Sequence, residues 1–184
     1  LSFSGGPVLD ELEQVYGAAL ARPLYCSVDP ALYYPQPTEM QWDLGYMGTY
    51  SPDRQRGVEE FLVSPALRQS GSRFVVAGPN YPAAVQWPPN VERIEHLPPN
   101  RHRAFYNAQR FTLNLTRADM IRLGYSPSVR LFEAAACGIP IISDEWPGLD
   151  SYFAFGTEIL VARSTDNILR YLIDISETDR RALG

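Results

Sequence analysis

The chain has 184 residues, enough for one ordinary domain with a hydrophobic core, and its 45% hydrophobic and 20% charged residues exclude a disordered chain. A formal net charge of −5 argues weakly against a nucleic-acid partner, because domains that bind nucleic acids usually carry a basic excess. No apolar run is long enough to span a membrane, and the two cysteines, Cys26 and Cys137, are too few for a disulfide scaffold.

The two ends of the chain do not follow the pattern of the rest. LSFSGG predicts a strand with a glycine turn, residues 9–20 predict a helix, and PLYCSV predicts a strand that leads into the proline-rich segment DPALYYPQP. The last residues, SETDRRALG, resemble a helix that is cut short. We therefore expect the chain to be a piece of a longer protein.

From Trp42 onward, short apolar runs alternate with segments of helical periodicity. Helices are predicted at 54–69, 99–109, 126–136 and 165–175. Strands are predicted at 42–48, 73–78, 91–97, 110–116, 139–143 and 158–162. This alternation, with strands that are apolar throughout, predicts an α/β fold with a doubly wound, Rossmann-like parallel sheet.

Ligands of such sheets bind beyond the carboxyl ends of the strands. Four residues end predicted strands and therefore mark this edge: Gly48, Gly78, Thr116 and Ser143. The helix predicted at 126–136 begins close to the same edge, so its first turn is the segment to examine for ligand-binding groups.

Local signals place the start of that helix at Ser126. Ser126 is a favourable N-cap residue, and Pro127 suits the first helical position. The backbone amides near Ser128, Val129 and Arg130 then lack acceptors within the helix, and together with the helix dipole they favour an anion such as a phosphate. The alternative is an ordinary helix start without a ligand.

Glu133 lies one turn further into the same helix. Helical side chains lean toward the N-terminus, so its carboxylate is expected to face the same pocket, where it suits a pair of vicinal ribose hydroxyls. An alanine-rich helix is also ordinary core, but a glutamate in an apolar helix is costly to bury without a partner, which favours a functional role.

The stretch FEAAACGIPIISDEWPGLDSYF resembles the signature of retaining GT-B glycosyltransferases, in which a glutamate opens a Glu-Ala-x-Ala-x-Gly-x-Pro motif. YMGTYSPDRQRGVEE is similar to the first strand and phosphate loop of their C-terminal domain, and FVVAGPNYP to the second strand. VERIEHLPPNRHRAFYNAQRFTLNLTR is similar to the base-binding stretch and the strand after it. The subgroup that the chain resembles most is the spore-maturation-protein-like (CgeB-like) one.

The resemblance implies one half of a GT-B architecture. Residues 1–36 are expected to be the end of the N-terminal domain and the interdomain linker, and residues 37–184 the C-terminal domain that binds a nucleotide sugar. Any general base or acceptor-binding residue is expected on the missing N-terminal domain, so the isolated fragment is expected to be inactive.

The family's glutamate falls on Glu133 and implies that it holds the ribose of the donor. The family usually has a second acid eight positions earlier, where this chain has Tyr125. Asp119 is a weak substitute candidate for a catalytic acid and is equally compatible with a solvated loop aspartate. Arg130 is expected to pair with Glu133 one turn away.

The family also binds the donor diphosphate with two basic residues after the first strand. The position after Gly48 is Thr49, so one of the two is missing. The other matches Arg56, with Arg54 as its near competitor, and either arginine is equally compatible with a surface helix position. Arg117 is a third basic candidate.

The base is expected to bind near His96, Leu97 and Pro98, largely through backbone groups. The implied function is transfer of a sugar from a nucleotide diphosphate sugar, as substrate, to an unknown acceptor, with no cofactor.

The two histidines lack the nearby partners of a zinc site, so no metal is expected. LSFSGG lacks the features of a signal peptide, and two free thiols fit a cytoplasmic location.

Two other classes of function stay open. Tyr125 and Thr49 are compatible with a degenerate GT-B module that binds without catalysis. A GT-B nucleotide-sugar epimerase is the other alternative. A phosphorylase is disfavoured, because it needs a lysine for its cofactor and the sequence contains none.

Overall fold

The computed structural model describes all of residues 1–184 and is built on one sheet of six parallel strands. Their order across the sheet is β3-β2-β1-β4-β5-β6. The strands are β1 (Trp42–Met47), β2 (Phe74–Ala77), β3 (Val91–Ile94), β4 (Gln109–Asn114), β5 (Ile141–Ser143) and β6 (Leu160–Val161). Every pairing is parallel, which confirms the predicted doubly wound α/β fold.

Helices connect these strands and cover both faces of the sheet. They include a π-helical turn (Glu59–Val63) and two 3₁₀ turns (Pro99–Arg101 and Leu149–Ser151). The helices are α1 (Pro7–Gln14), α2 (Pro52–Val58), α3 (Ser64–Arg68), α4 (His102–Asn107), α5 (Ala118–Leu123), α6 (Val129–Ala136), α7 (Thr165–Asp174) and α8 (Glu177–Leu183). None of these helices combines the length and the hydrophobicity that a membrane span needs.

Alternate residues of β2 show why its sequence is apolar throughout. Phe74 and Val76 pack in a cluster with the residues of α2, α3 and α7, whereas Val75 and Ala77 pack in a second cluster with α4. Successive side chains of a strand point to opposite faces, so a strand covered on both faces must be apolar at every position.

The strand order changes direction between β1 and β4. From β1 the chain first adds β2 and β3 on one side, then returns to place β4 on the other side, in register Leu44 with Phe111. The loops after β1 and β4 therefore diverge and leave a crevice at the carboxyl edge of the sheet.

The helix predicted to begin at Ser126 begins two residues later. Val129 is the first helical residue and Ser128 is the N-cap, without a side-chain capping bond. The Ser126 hydroxyl instead accepts a buried hydrogen bond from Ser4 at 3.0 Å. Tyr125 holds a left-handed backbone with φ of 46°, so the chain preceding the helix turns away from helical geometry.

The predictions for the first 28 residues are only partly correct. LSFSGG and PLYCSV do not form strands, and a single bridge between Ser2 and Pro23 is their only pairing. Helix α1 ends at Gln14 rather than at residue 20.

At the other end of the chain, α8 confirms the predicted final helix, and the Ser176 hydroxyl accepts a hydrogen bond from the Asp179 amide at its start. Helix α5 was not predicted.

The loops after β1 and β2 touch through two glycines. Gly78 has φ of 143°, and a Cβ at this position would lie 2.2 Å from the Gly48 carbonyl oxygen. Neither the backbone conformation nor the space admits another residue. This contact fixes how closely the two loops approach each other at the edge of the crevice.

Replacing Gly78 with alanine is therefore expected to destabilise the fold by about 2 kcal/mol or more, from backbone strain and the clash with Gly48. The measurement is the free energy of unfolding in urea. Gly71→Ala is the matched control, because a Cβ there meets nothing within 4 Å, and its change is expected to stay within about 0.5 kcal/mol. Equal stability of the two variants would contradict the prediction.

Candidate functional site

A pocket of about 250 Å³ lies in the crevice beyond the carboxyl ends of β1, β2 and β3. Helix α6 points its first turn into it. Several residues that the sequence predicted for the site line this pocket: Gly48, Gly78, His96, Leu97, Val129, Arg130 and Glu133. Ser128, the N-cap of α6, adjoins it, and its hydroxyl donates to the Asn114 side-chain oxygen at 2.9 Å.

Glu133 is 7% exposed and is held by hydrogen bonds from two other parts of the chain. The Tyr33 hydroxyl donates to Oε1 and the Tyr106 hydroxyl to Oε2, both at 2.8 Å. His102 Nδ1 lies 3.8 Å from Oε1, and its Nε2 lies 3.3 Å from the Leu97 carbonyl oxygen. The carboxylate thus has a fixed position at the wall of the pocket.

These contacts determine the charge of the Glu133 carboxylate. Burial by itself raises the pKa of Glu133, but the nearby His102 and the hydrogen bonds from Tyr106 and Tyr33 outweigh it, so the pKa lies below its ordinary value. The nearby carboxylate of Glu133 raises the pKa of His102 despite its burial. A carboxylate has about four acceptor positions, so two remain after both tyrosines have bound.

The first turn of α6 presents unused donors beside this carboxylate. The Leu131 amide donates to the Ser128 carbonyl, but the amides of Val129 and Arg130 have no backbone or side-chain acceptor in the protein. Together with the helix dipole, such amides favour an anion. The predicted anion-binding geometry is therefore present, although the helix begins at Val129.

The basic candidates separate into one buried and two exposed residues. Arg54 is 5% exposed, and its Nη2 donates to the Thr49 carbonyl at 2.5 Å, under the loop that follows β1. Burial lowers the pKa of Arg54, and the positive charges of Arg130 and Arg117 lower it further. Arg56 and Arg117 are exposed and do not line the pocket.

Arg130 does not pair with Glu133, contrary to the sequence-based expectation. Its Nη1 donates to the Met47 carbonyl and its Nη2 to the Leu115 carbonyl, each at 3.1 Å. These carbonyls lie at the ends of β1 and β4, where the hydrogen bonding of the sheet stops. The guanidinium leans toward the N-terminus of α6 and reaches them, while Glu133 is satisfied by the tyrosines.

Tyr125 and Asp119 contribute no carboxylate to the pocket. The Tyr125 ring lies between two glycines, since a Cβ on Gly6 or Gly148 would approach it to 2.2 and 2.5 Å. Its amide donates to the Pro147 carbonyl at 2.7 Å. Asp119 is exposed and pairs with Arg122 at 3.2 Å, so the structure places it outside the pocket.

Sequence reasoning missed the three side chains that hold Glu133. His102 and Tyr106 are four residues apart in α4 and therefore share one helical face, a spacing that was available in the sequence. Tyr33 belongs to an irregular segment and carries no comparable signal. The chain contains no cluster of three or more His, Cys, Asp or Glu side chains that could hold a metal ion.

Comparisons with known proteins agree with this fold. A family model described as "Glycosyl transferase-like" matches residues 54–184. No curated protein matches the chain significantly in sequence.

Three solved structures share the fold. AviGT4, a glycosyltransferase involved in avilamycin A biosynthesis, has 21% sequence identity and a TM-score of 0.63, with 94% of this chain and 54% of that chain covered. Sucrose-phosphate synthase from Thermosynechococcus elongatus has 17% identity and a TM-score of 0.68, with 95% and 48% covered. Anabaena Alr3699/HepE, solved with UDP-glucose, has 11% identity and a TM-score of 0.69, with 89% and 50% covered. The chain thus spans about half the length of each protein.

The contact between His102 and Glu133 predicts how stability changes with pH. Because the pKa of His102 is raised in the folded state, the stabilisation is complete below its unfolded pKa of about 6.5 and is lost as pH rises through the higher folded value. The wild-type chain is therefore expected to lose stability relative to His102→Gln between pH 6 and pH 9, measured by urea unfolding. His96→Gln, at an exposed histidine, is the control, and a pH-independent difference for His102→Gln would refute the assignment.

Proposed function

The chain belongs to the glycosyl transferase-like family, and we propose that it is the donor-binding half of a GT-B glycosyltransferase that takes a sugar from a nucleotide diphosphate sugar. The observation that carries this proposal is the ionised, buried carboxylate of Glu133, which faces the pocket one turn inside a helix whose first amides are free. A carboxylate that can accept hydrogen bonds from hydroxyl groups thus lies beside amides that can donate hydrogen bonds to an anion, as a nucleotide diphosphate requires.

The proposed arrangement of the donor follows from the lining residues. The ribose hydroxyls donate to the two acceptor positions that the tyrosines leave on Glu133. The diphosphate lies at the amides of Val129 and Arg130 beside Ser128, with the buried Arg54 close by. The base lies toward Leu97 and the loop that follows β3. Groups that neutralise the diphosphate stabilise it as the leaving group.

The division of the chain into domains is also a proposal. Residues 1–36 are the end of an N-terminal domain and the linker, and residues 37–184 are the donor domain. The structure supports this because residues 15–41 form no helix or strand. Several large apolar side chains in the first part are exposed: Leu1, Phe3, Val15, Tyr16 and Leu20. The acceptor site and the general base then belong to the N-terminal domain, so the fragment alone is inactive.

The finer assignments rest on the motif. Membership of the CgeB-like subgroup and retention at the sugar carbon follow from the stretch that begins at Phe132, and the cytoplasmic location rests on the two free cysteines. The donor is a substrate, and the proposal includes no cofactor or metal.

One observation favours a second candidate, a module that binds the donor without catalysis. Tyr125, held between Gly6 and Gly148, stands where the family usually places an acid. The two candidates differ in turnover by the full-length protein. Donor hydrolysis or transfer establishes the enzyme, whereas donor binding without either reaction establishes the binding module.

Replacing Glu133 with glutamine is expected to weaken donor binding by about tenfold or more, because the ribose hydroxyls lose a charged acceptor. UDP-glucose is the first ligand to test, since Alr3699/HepE was solved with it, followed by GDP and ADP sugars. Thermal shift and calorimetry provide the measurement.

The matched control is Glu39→Gln, at an exposed glutamate whose side chain forms no hydrogen bond or ion pair in the structure. It is expected to bind like the wild type. If the folded wild-type chain bound none of the three donors, the proposed function would be wrong. If both glutamine variants bound equally well, the role of Glu133 would be wrong.

A further inference from the structure

Three buried hydrogen-bond donors under the loop that follows β1 have no acceptor. They are the hydroxyl of Tyr46, which is fully buried, and the Nε atoms of Arg54 and Arg130. Buried donors are almost always satisfied in folded proteins, and leaving one unsatisfied costs free energy. Three such atoms at one place therefore mark the region under this loop as unusually rich in donors for which the chain supplies no acceptor.

The same place holds an unbalanced positive charge. Neither Arg54 nor Arg130 takes part in any ion pair of the protein. The positive charges of Arg130 and of the exposed Arg117 both disfavour the charge of the buried Arg54. Buried charges are normally paired, but Asp144, the acid that acts on Arg130, is bound by Thr116 and forms no ion pair, so an anion from outside the chain is the missing counter-ion.

Arg130 has donors left to bind that anion. A guanidinium has five N–H groups, and Arg130 uses two of them, one each for the carbonyls of Met47 and Leu115. These two bonds hold its plane in position, and Arg130 lines the pocket. It is therefore a preorganised donor rather than a mobile surface cation.

Gly48 leaves a gap beside this guanidinium. A Cβ on Gly48 would lie 2.5 Å from the Tyr46 hydroxyl and 3.2 Å from Arg130 Nη1. Gly48 is not among the glycines with positive φ, so its backbone does not require glycine. The space beside Arg130 does, because any side chain would fill the gap that leads to these two groups.

We propose that Arg130 is the principal phosphate-binding residue of the pocket, and that with Gly48, Tyr46 and Arg54 it forms a site for the diphosphate of the donor. This inference rests on the proposed function and names the cation that Thr49 does not supply. The phosphate oxygens lie against the free Nη hydrogens of Arg130 and the adjacent amides of α6. Arg54, bound to the Thr49 carbonyl, supplies the second positive charge.

A purely structural role for Arg130 makes a different prediction. An arginine that only joins the ends of β1 and β4 contributes to stability, and its loss does not distinguish ligands with phosphate from ligands without it. The test must therefore measure anion binding and stability separately.

The first probe is inorganic pyrophosphate, which has no base or ribose. Its affinity for the chain is measured by calorimetry, and the affinities of UDP, GDP, ADP and the parent nucleosides are measured separately in the same way. Arg130→Met is expected to weaken pyrophosphate and nucleoside diphosphate binding by about 10- to 100-fold, the loss of charge-assisted hydrogen bonds. Binding of the nucleosides is expected to stay unchanged.

Arg130→Lys keeps the charge but loses the planar pair of donors, so an intermediate loss of about 3- to 10-fold is expected. If Arg130→Met does not fold, the affinities of Arg130→Lys test whether Arg130 binds the phosphate. Arg68→Met, which removes an exposed arginine on α3, is the control for net charge and is expected to bind like the wild type.

The outcomes separate the two proposals. Wild-type binding of a nucleoside diphosphate that persists unchanged in folded Arg130→Met, or in Arg130→Lys if the first variant is unfolded, overturns the role of Arg130 and leaves the proposed function standing. Wild-type binding of pyrophosphate but of no nucleoside diphosphate supports the anion site and overturns the proposed function. An equal loss of nucleoside binding in Arg130→Met points to a structural role and also overturns the inference.

Discussion

A carboxylate buried in an apolar helix is stable only if hydrogen-bond donors reach it, and Glu133 obtains them from outside its own helix. Tyr106 donates from α4 and Tyr33 from the irregular segment before β1, and His102 of α4 lies 3.8 Å from the carboxylate. The wall of the pocket is thus assembled from parts of the chain that are distant in sequence. Because those donors keep Glu133 ionised, the pocket has a fixed negative acceptor that its remaining groups complement.

The charges of α6 are separated rather than neutralised. Arg130 and Glu133 lie three residues apart, a spacing that often gives an ion pair, yet the arginine binds the strand-end carbonyls and the glutamate binds the tyrosines. Each charge therefore keeps free hydrogen-bonding capacity toward the pocket. One helix turn thus offers acceptors for hydroxyl groups and donors for an anion, and this polarity suits a molecule that carries both.

The sequence was sufficient to predict the features that local periodicity determines. It was not sufficient to predict those that depend on tertiary contacts. The parallel sheet and the orientation of Glu133 follow from apolar runs and from the regular lean of helical side chains. The choice between Arg54 and Arg56 does not, because it depends on which face of α2 packs inward. The helix start moved from Ser126 to Ser128 because a contact with the chain terminus, 122 residues away, uses the first serine. The two N-terminal segments predicted as strands pair with each other through one bridge only, and neither joins the six-stranded sheet.

The bond between Tyr33 and Glu133 links the segment before β1 energetically to the pocket. Tyr33 shares one carboxylate with any hydroxyl that enters, so a ligand that strengthens or weakens this bond changes the free energy that holds residues 27–41 in place. Linkage is reciprocal, and a displacement of that segment must alter ligand affinity by the same factor. If this segment joins two domains, occupancy of the pocket and the angle between the domains are coupled through a single phenolic hydroxyl.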